Sequence, residues 1–94
     1  LETPITQKVV SNYISYTATT TATKLAPENL NRKELIVTNT STSPLYLGFG
    51  RLPSSTDYAV VVPYNAVFFT EVTDQIIGVW GAASGGQANI VERV

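Results

Sequence analysis

The sequence predicts a single all-β domain, an antiparallel β-sandwich or small barrel of about seven short strands. Pro and Gly divide the 94 residues into short segments that are rich in β-branched and aromatic residues, which favour strands. These segments recur at intervals of about 9–13 residues, a spacing typical of sandwiches and barrels. No segment keeps the apolar period of an amphipathic helix through three turns.

The predicted strands follow one another along the chain with short connections between them. They are residues 8–20, 34–40, 45–50, 57–62, 66–72, 76–83 and 88–94. Residues 25–31 are expected to form a loop around Pro27, because Pro and Asn favour turns. Residues 63–65 and 84–87 are predicted to close hairpins between the strands that flank them.

Apolar residues at alternate positions of these segments define the expected core. On the second segment, Leu35, Val37 and Asn39 share one face of the strand. The residues predicted to lie mainly in the core are Leu35, Val37, Leu47, Val60, Val62, Phe69, Ile77, Val79 and Ile90. A chain of this length buries enough surface for one modest core without disulfide or metal staples.

The domain is predicted to span residues 7–94, preceded by an N-terminal arm at residues 1–6. The arm contains Pro4 and has no obvious place in the sheet, so we expect it to contact another protein, although a frayed terminus is the simpler alternative. Tyr13 and Tyr16 add aromatic area of the kind enriched at interfaces. The predicted protein-interaction residues are therefore Leu1, Ile5, Tyr13 and Tyr16.

The charge pattern argues against nucleic acid and membrane partners. Charged residues make up 14% of the chain and the net charge is −1, whereas soluble domains typically carry about 25% charged residues. Basic residues are scattered, and only Arg32 and Lys33 are adjacent, which is too few for non-specific phosphate binding or a polybasic membrane anchor. The weakly charged surface favours packing against other protein.

Enzymatic chemistry is not expected, and no catalytic residue, metal or cofactor is predicted. The 94 residues contain no His and no Cys, so the commonest general base and the strongest thiol nucleophile are both missing. The nearest pair of carboxylates, Glu71 and Asp74, is interpreted as two solvated charges beside a turn. A calcium site that also used Thr70 and Thr73 is the alternative, but it has few oxygen ligands.

Two glycine-rich segments, residues 48–50 and 81–86, are interpreted as turns or close strand contacts. A phosphate-binding loop would need a helix to begin directly after them, and neither is followed by a helical pattern.

The aromatic residues present a further alternative, a carbohydrate-binding platform. Such a platform would combine Trp80 with exposed tyrosine rings, whereas a lone Trp in an apolar strand is more typical of a core or half-buried position. The tyrosines considered for the platform are Tyr13, Tyr16, Tyr46, Tyr58 and Tyr64.

Three segments between Asn31 and Glu92 form a recognisable pattern: N-R-K-E-L-I-V-T-N-T-S at residues 31–41, L-Y-L-G at residues 45–48 and the final strand A-N-I-V-E at residues 88–92. In this pattern the sequence resembles small β-sandwich proteins of tailed bacteriophage virions. Residues 63–65 replace the glycine that usually follows the central apolar strand of those proteins. The pattern describes a fold, so no functional residue is carried over from it.

The resemblance implies a virion structural protein, most specifically a capsid decoration or cement protein that binds and stabilises a phage capsid shell. Its expected partners are the major capsid protein or another virion protein, together with further copies of itself. Residues 58–62 and 67–69 favour this reading, because two apolar segments on bare sheet edges would promote aggregation unless something covers them. The alternative function is a carbohydrate- or surface-binding β module of a tail fibre or adhesin.

Overall fold

A computed structural model describes residues 11–94, which form β-strands joined by turns and contain no helix. The strands are β1 (Ser11–Thr17), β2 (Thr23–Ala26), β3 (Glu34–Asn39), β4 (Leu45–Phe49), β5 (Val60–Val62), β6 (Val67–Thr70), β7 (Ile76–Trp80) and β8 (Gln87–Arg93). They build two antiparallel four-stranded sheets, which confirms the predicted all-β class and is consistent with the sandwich alternative.

The two sheets have a nested strand order. Sheet I runs β1-β8-β3-β6, and sheet II runs β2-β7-β4-β5. Each sheet therefore contains two of the pairs β1–β8, β2–β7, β3–β6 and β4–β5. This is the order obtained when one long antiparallel hairpin is rolled up, and it defines an eight-stranded jelly roll.

The nested order corrects two predicted hairpins. The turn at residues 63–66 joins β5 to β6, but β5 pairs with β4 and β6 pairs with β3, so the chain crosses between the sheets there. Residues 81–86 likewise carry the chain from β7 in sheet II to β8 in sheet I. Turn residues mark where a strand ends, but they do not specify which strand lies beside it.

The predicted loop at residues 25–31 also needs correction, because β2 overlaps its beginning. β2 pairs with β7 and buries Leu25 and Ala26 against the core. The strand has four residues and Pro27 follows it directly, so its sequence offered little alternation from which to predict a strand.

Apolar side chains from both sheets fill the space between them. The buried core consists of Ala18, Leu25, Ala26, Leu35, Val37, Leu45, Leu47, Val62, Ile76, Trp80, Ala88 and Ile90. Of the predicted core residues, Leu35, Val37, Leu47, Val62, Ile77 and Ile90 are buried, whereas Val60 and Val79 are half-buried.

The prediction of Phe69 as a core residue is wrong, since it is 59% exposed. Phe68 pairs with Val37 on β3 and faces the interior, where its ring stacks on Phe49 at a centroid distance of 6.2 Å. Phe69 therefore points to the opposite side of the sheet. Val67, Phe68 and Phe69 are all apolar, so alternation alone does not distinguish the two sides.

One buried polar side chain, Asn39, lies among the apolar residues as its position on β3 predicts. Its Oδ1 accepts hydrogen bonds from Trp80 Nε1 at 3.1 Å and from the Ser41 amide at 3.0 Å. Its Nδ2 donates to the carbonyl oxygens of Ser43 at 2.9 Å and Val62 at 2.8 Å. The amide group therefore uses both donors and accepts twice, as a buried polar group must if it is not to destabilise the fold.

At the opposite end of β3, a buried Arg32 holds two loops against β8. Its Nε donates to Oε2 of Glu92 at 2.8 Å. Its Nη1 donates to the carbonyl oxygens of Val72 and Asp74 at 2.7 and 2.9 Å, and its Nη2 donates to that of Pro27 at 2.6 Å. Among the described residues, no buried side-chain nitrogen or oxygen lacks a partner.

Candidate assembly surface

The outward side of sheet I carries a row of apolar side chains that crosses all four strands. In the strand register, Tyr13 of β1 pairs with Val91 of β8, Val91 pairs with Ile36 of β3, and Ile36 pairs with Phe69 of β6. Tyr13 is 64% exposed and Phe69 is 59% exposed, while Val91 and Ile36 between them are half-buried. We call these four side chains the apolar row.

On one side of the apolar row lies a second row, the polar row, which consists of three uncharged polar residues and one valine. Ser15 pairs with Asn89, which pairs with Thr38, and Val67 ends the row at the sheet edge. Ser15 Oγ donates a hydrogen bond to Asn89 Oδ1 at 2.9 Å, and Gln87 Nε2 donates to the same oxygen at 2.7 Å. The polar row is therefore held in place by bonds within the sheet.

On the other side of the apolar row lies one pair of opposite charges. Arg93 on β8 and Glu34 on β3 are direct register partners, and Arg93 Nη2 lies 3.1 Å from Glu34 Oε1. Both side chains remain partly exposed, at 44% and 30%. The surface formed by the apolar row and these two flanking rows is called the sheet I face below.

The four residues predicted to contact other proteins have different positions. Tyr13 lies on the sheet I face. Tyr16 is three positions further along the same strand and therefore points to the other side, where it is half-buried against the core. Leu1 and Ile5, with the rest of the predicted arm at residues 1–6, lie outside the described residues.

Sequence reasoning missed Ile36, Val91 and Phe69 as surface partners of Tyr13. Each of the four comes from a different strand, and only the inter-strand register aligns them. The exposed positions of β3 and β8 gave a partial signal, since both strands carry an apolar residue on a side that is otherwise polar.

The carbohydrate platform considered above is not formed by these rings. Trp80 is buried, at 2% exposure, with its indole nitrogen bonded inside the core. The rings of Tyr46 and Tyr58 contact each other at a centroid distance of 5.0 Å, with Tyr46 on β4 of sheet II. Tyr13 lies on sheet I, and Tyr64 is exposed in the turn between the sheets. The aromatic residues are thus distributed over separate surfaces.

Of the two carboxylates that follow β6, Glu71 and Asp74, the second takes part in local structure. Asp74 Oδ1 accepts a hydrogen bond from the Gln75 amide at 2.7 Å, and the Asp74 carbonyl accepts one from Arg32. Both Glu71 and Asp74 are exposed. No group of three or more metal-ligating acidic, His or Cys side chains occurs in residues 11–94.

The glycine-rich segments act as turns and close contacts, which confirms their interpretation. The carbonyl oxygen of Arg51 and the ring of Pro53 pack directly over Gly48 and leave no room for a side chain there. Gly86 has a positive φ of 78° and lies against the backbone of Ser41.

No helix within the described part of the chain has the length and apolar character needed to cross a membrane.

Comparison with known proteins gives a structural likeness and no sequence relative. No protein-family model matches the chain, and the search of curated proteins found no match. One solved structure that is similar is of Bacillus endospore appendages, described as a novel family of disulfide-linked pili. The two chains share 18% sequence identity, with a TM-score of 0.50, over 99% of this chain and 93% of the other. At that identity the likeness shows a shared fold.

Proposed function

We propose that this chain is a structural subunit that works by assembling in many copies on the outside of a cell or virus particle. The observation that carries the proposal is the apolar row on the sheet I face. Tyr13 and Phe69 offer aromatic area at both ends of that row, and polar or charged groups flank it. An apolar centre with a polar rim is the usual composition of a protein–protein interface.

The low charge of the chain supports the same proposal. With a net charge of −1, copies repel one another weakly at long range. An uncovered apolar row with exposed aromatic rings at both ends favours aggregation, so a subunit that carries one is expected to have it covered in its working state. Assembly provides that cover, whereas the chain lacks the His and Cys residues on which much enzyme chemistry depends.

One setting for such a subunit is a pilus-like appendage. The likeness in fold to a chain from the structure of the endospore pili, over nearly the whole of both chains, supports this setting. Those pili are disulfide-linked, whereas the 94 residues of this chain contain no Cys. Disulfides between these 94 residues could therefore not hold such an appendage, and we expect contacts between the sandwich surfaces to hold it instead.

The other setting is a virion, in which the chain acts as a capsid decoration protein on the shell of major capsid protein. The sequence pattern from Asn31 to Glu92 supports this setting, and jelly rolls are common among virion proteins. Both settings share one physical claim, that many copies are held by buried surface on a larger structure.

Immunogold labelling tests the proposal and separates the two settings. Antibodies against the purified chain are applied to the cells and to the virus particles that carry it, with antibody pre-absorbed on the chain as the control. Regular label along filaments supports an appendage, and regular label over capsids supports a decoration protein. Label confined to the cell interior contradicts the proposal.

A further inference from the structure

We propose that the sheet I face binds the same face of a second copy, through a two-fold axis that runs parallel to the strands midway between β8 and β3. The inference rests on the proposed assembly function and identifies one contact between neighbouring copies in the assembly. A two-fold axis requires a surface that complements itself. The sheet I face meets this requirement in its charges, its apolar residues and its polar groups.

The charges are complementary about this axis and no other simple one. Arg93 on β8 and Glu34 on β3 lie directly opposite each other, at equal distances on either side of the axis. Rotation places Arg93 of one copy over Glu34 of the second copy, and the reverse, so four charges alternate in sign. A two-fold axis perpendicular to the strands would instead place both charges over the uncharged Asn89 and Thr38.

The same rotation pairs the apolar row with itself. Tyr13 on edge strand β1 lies over Phe69 on edge strand β6 of the second copy, and Val91 lies over Ile36. Both aromatic rings are well exposed in the single chain, so covering them removes apolar area from water on both sides.

In the remaining row, Ser15 lies over Val67 of the second copy, and the Ser15 hydroxyl keeps its hydrogen bond to Asn89 of its own chain. Asn89 lies over Thr38 of the second copy, which joins two groups that form hydrogen bonds. Glu71 follows the end of β6 and is exposed. The axis places the two Glu71 residues in the same row at opposite edges of the contact, about three strand spacings of 4.8 Å apart, where water and salt screen them.

The size of the surface determines how strong the contact is. The face consists of four strands spaced about 4.8 Å apart and three rows of side chains spaced about 6.8 Å apart, so it covers roughly 400 Å² in each copy. This is about half the area that each partner buries in a stable interface of standard size. We therefore expect a weak dimer in free solution, one that becomes persistent where an assembly holds many copies close together.

The test uses two charge-reversed variants, Glu34→Arg and Arg93→Glu, in sedimentation velocity at about 0.15 M ionic strength. Each variant alone brings like charges face to face, so its self-association should be at least tenfold weaker than that of the wild-type chain. In an equimolar mixture of the two variants, a mixed dimer places two positive side chains opposite two negative ones. The mixture should therefore associate about as strongly as the wild-type chain.

Measuring the mixture distinguishes a role of these charges between copies from a role only in the ion pair within each chain. Both variants have lost their internal pair, so a purely internal role predicts no recovery on mixing. The matched control is the exposed pair of Arg51 and Asp57, which lies on the loop after β4. Arg51→Glu and Asp57→Arg should leave self-association unchanged, and their mixture should associate no more strongly than either variant alone.

Failure of the inference and failure of the proposed function give different results. A wild-type chain that is monomeric at about 1 mM, or a Glu34→Arg and Arg93→Glu mixture that associates no better than its components, overturns the two-fold contact. If immunogold labelling still finds regular arrays, the assembly function stands and uses another surface. Absence of arrays together with a monomeric chain removes both.

Discussion

The indole Nε1 of Trp80 donates a 3.1 Å hydrogen bond to Oδ1 of Asn39, across the core from β7 of sheet II to β3 of sheet I. Both residues are buried. A polar bond between two sheets specifies how one sheet sits over the other, since apolar contacts alone tolerate small shifts. The sheet I face is therefore presented on a sandwich whose packing is fixed from inside.

Replacing Asn39 with Leu should reduce the free energy of unfolding by about 3 kcal/mol or more. The substitution leaves the Trp80 indole N–H and the carbonyls of Ser43 and Val62 with fewer partners in the interior, and each unsatisfied group costs about 1–3 kcal/mol. Urea unfolding followed by the fluorescence of the single Trp gives the value. Asn31→Leu, at an exposed position, is the control, and a loss below about 1 kcal/mol for Asn39→Leu would contradict the role of this bond.

Truncating the neighbouring residues Phe68 and Phe69 should reduce stability by very different amounts. Phe68 stacks on Phe49 inside the sandwich, so Phe68→Ala should cost about 2–4 kcal/mol. Phe69 is exposed on the other side of β6, so Phe69→Ala should change stability by less than about 0.5 kcal/mol. Thermal and urea unfolding of the two variants measure this difference, and equal losses would show that the register of β6 is wrong.

Removing Arg32 should be more harmful than removing the whole ion pair. In Arg32→Met, Glu92 stays nearly buried but has lost its counter-charge, so the free energy of unfolding should fall by about 3–5 kcal/mol. Arg32→Met with Glu92→Leu removes that uncompensated charge and should be milder. Arg51→Met, at an exposed pair, should cost at most about 1 kcal/mol. Chemical unfolding of all three variants gives the order of stability, and a double variant less stable than Arg32→Met would contradict the penalty expected for an unpaired Glu92.

Deleting residues 1–6 should weaken assembly without changing the stability of the domain. The deleted segment includes the predicted contacts Leu1 and Ile5, and it precedes all eight strands. The sedimentation of assembled material and the melting temperature of the isolated chain are measured in parallel. Unchanged assembly would show that the segment is only a chain terminus and not an interaction arm.

The fold class followed from local signals, but the strand pairing did not. β-Branched and aromatic segments, the punctuation by Pro and Gly and the missing helical period were enough to predict an all-β domain. In a jelly roll most strands pair with partners distant in sequence, such as β1 with β8. Turn residues such as Pro63 and Asn65 look the same whether they close a hairpin or carry the chain between two sheets.

Local sequence signals predict the candidate surface even less well than they predict the strand pairing. The sequence predicts Tyr13 as an interaction residue because it is a large aromatic residue near the start of the domain. The sequence instead predicts a core position for Phe69, because an apolar run gives no sign of which side faces water. Its place beside Ile36 and Val91 depends on the pairing of three strands, which no local pattern specifies.

Electron cryomicroscopy of the intact assembly that contains this chain tests the central claim most directly. The account predicts many regularly placed copies in which the sheet I face is covered, with Tyr13 of one copy against Phe69 of another and Arg93 against Glu34. A reconstruction in which this face of every copy is open to solvent, or in which the chain is not a repeated component, would contradict the account.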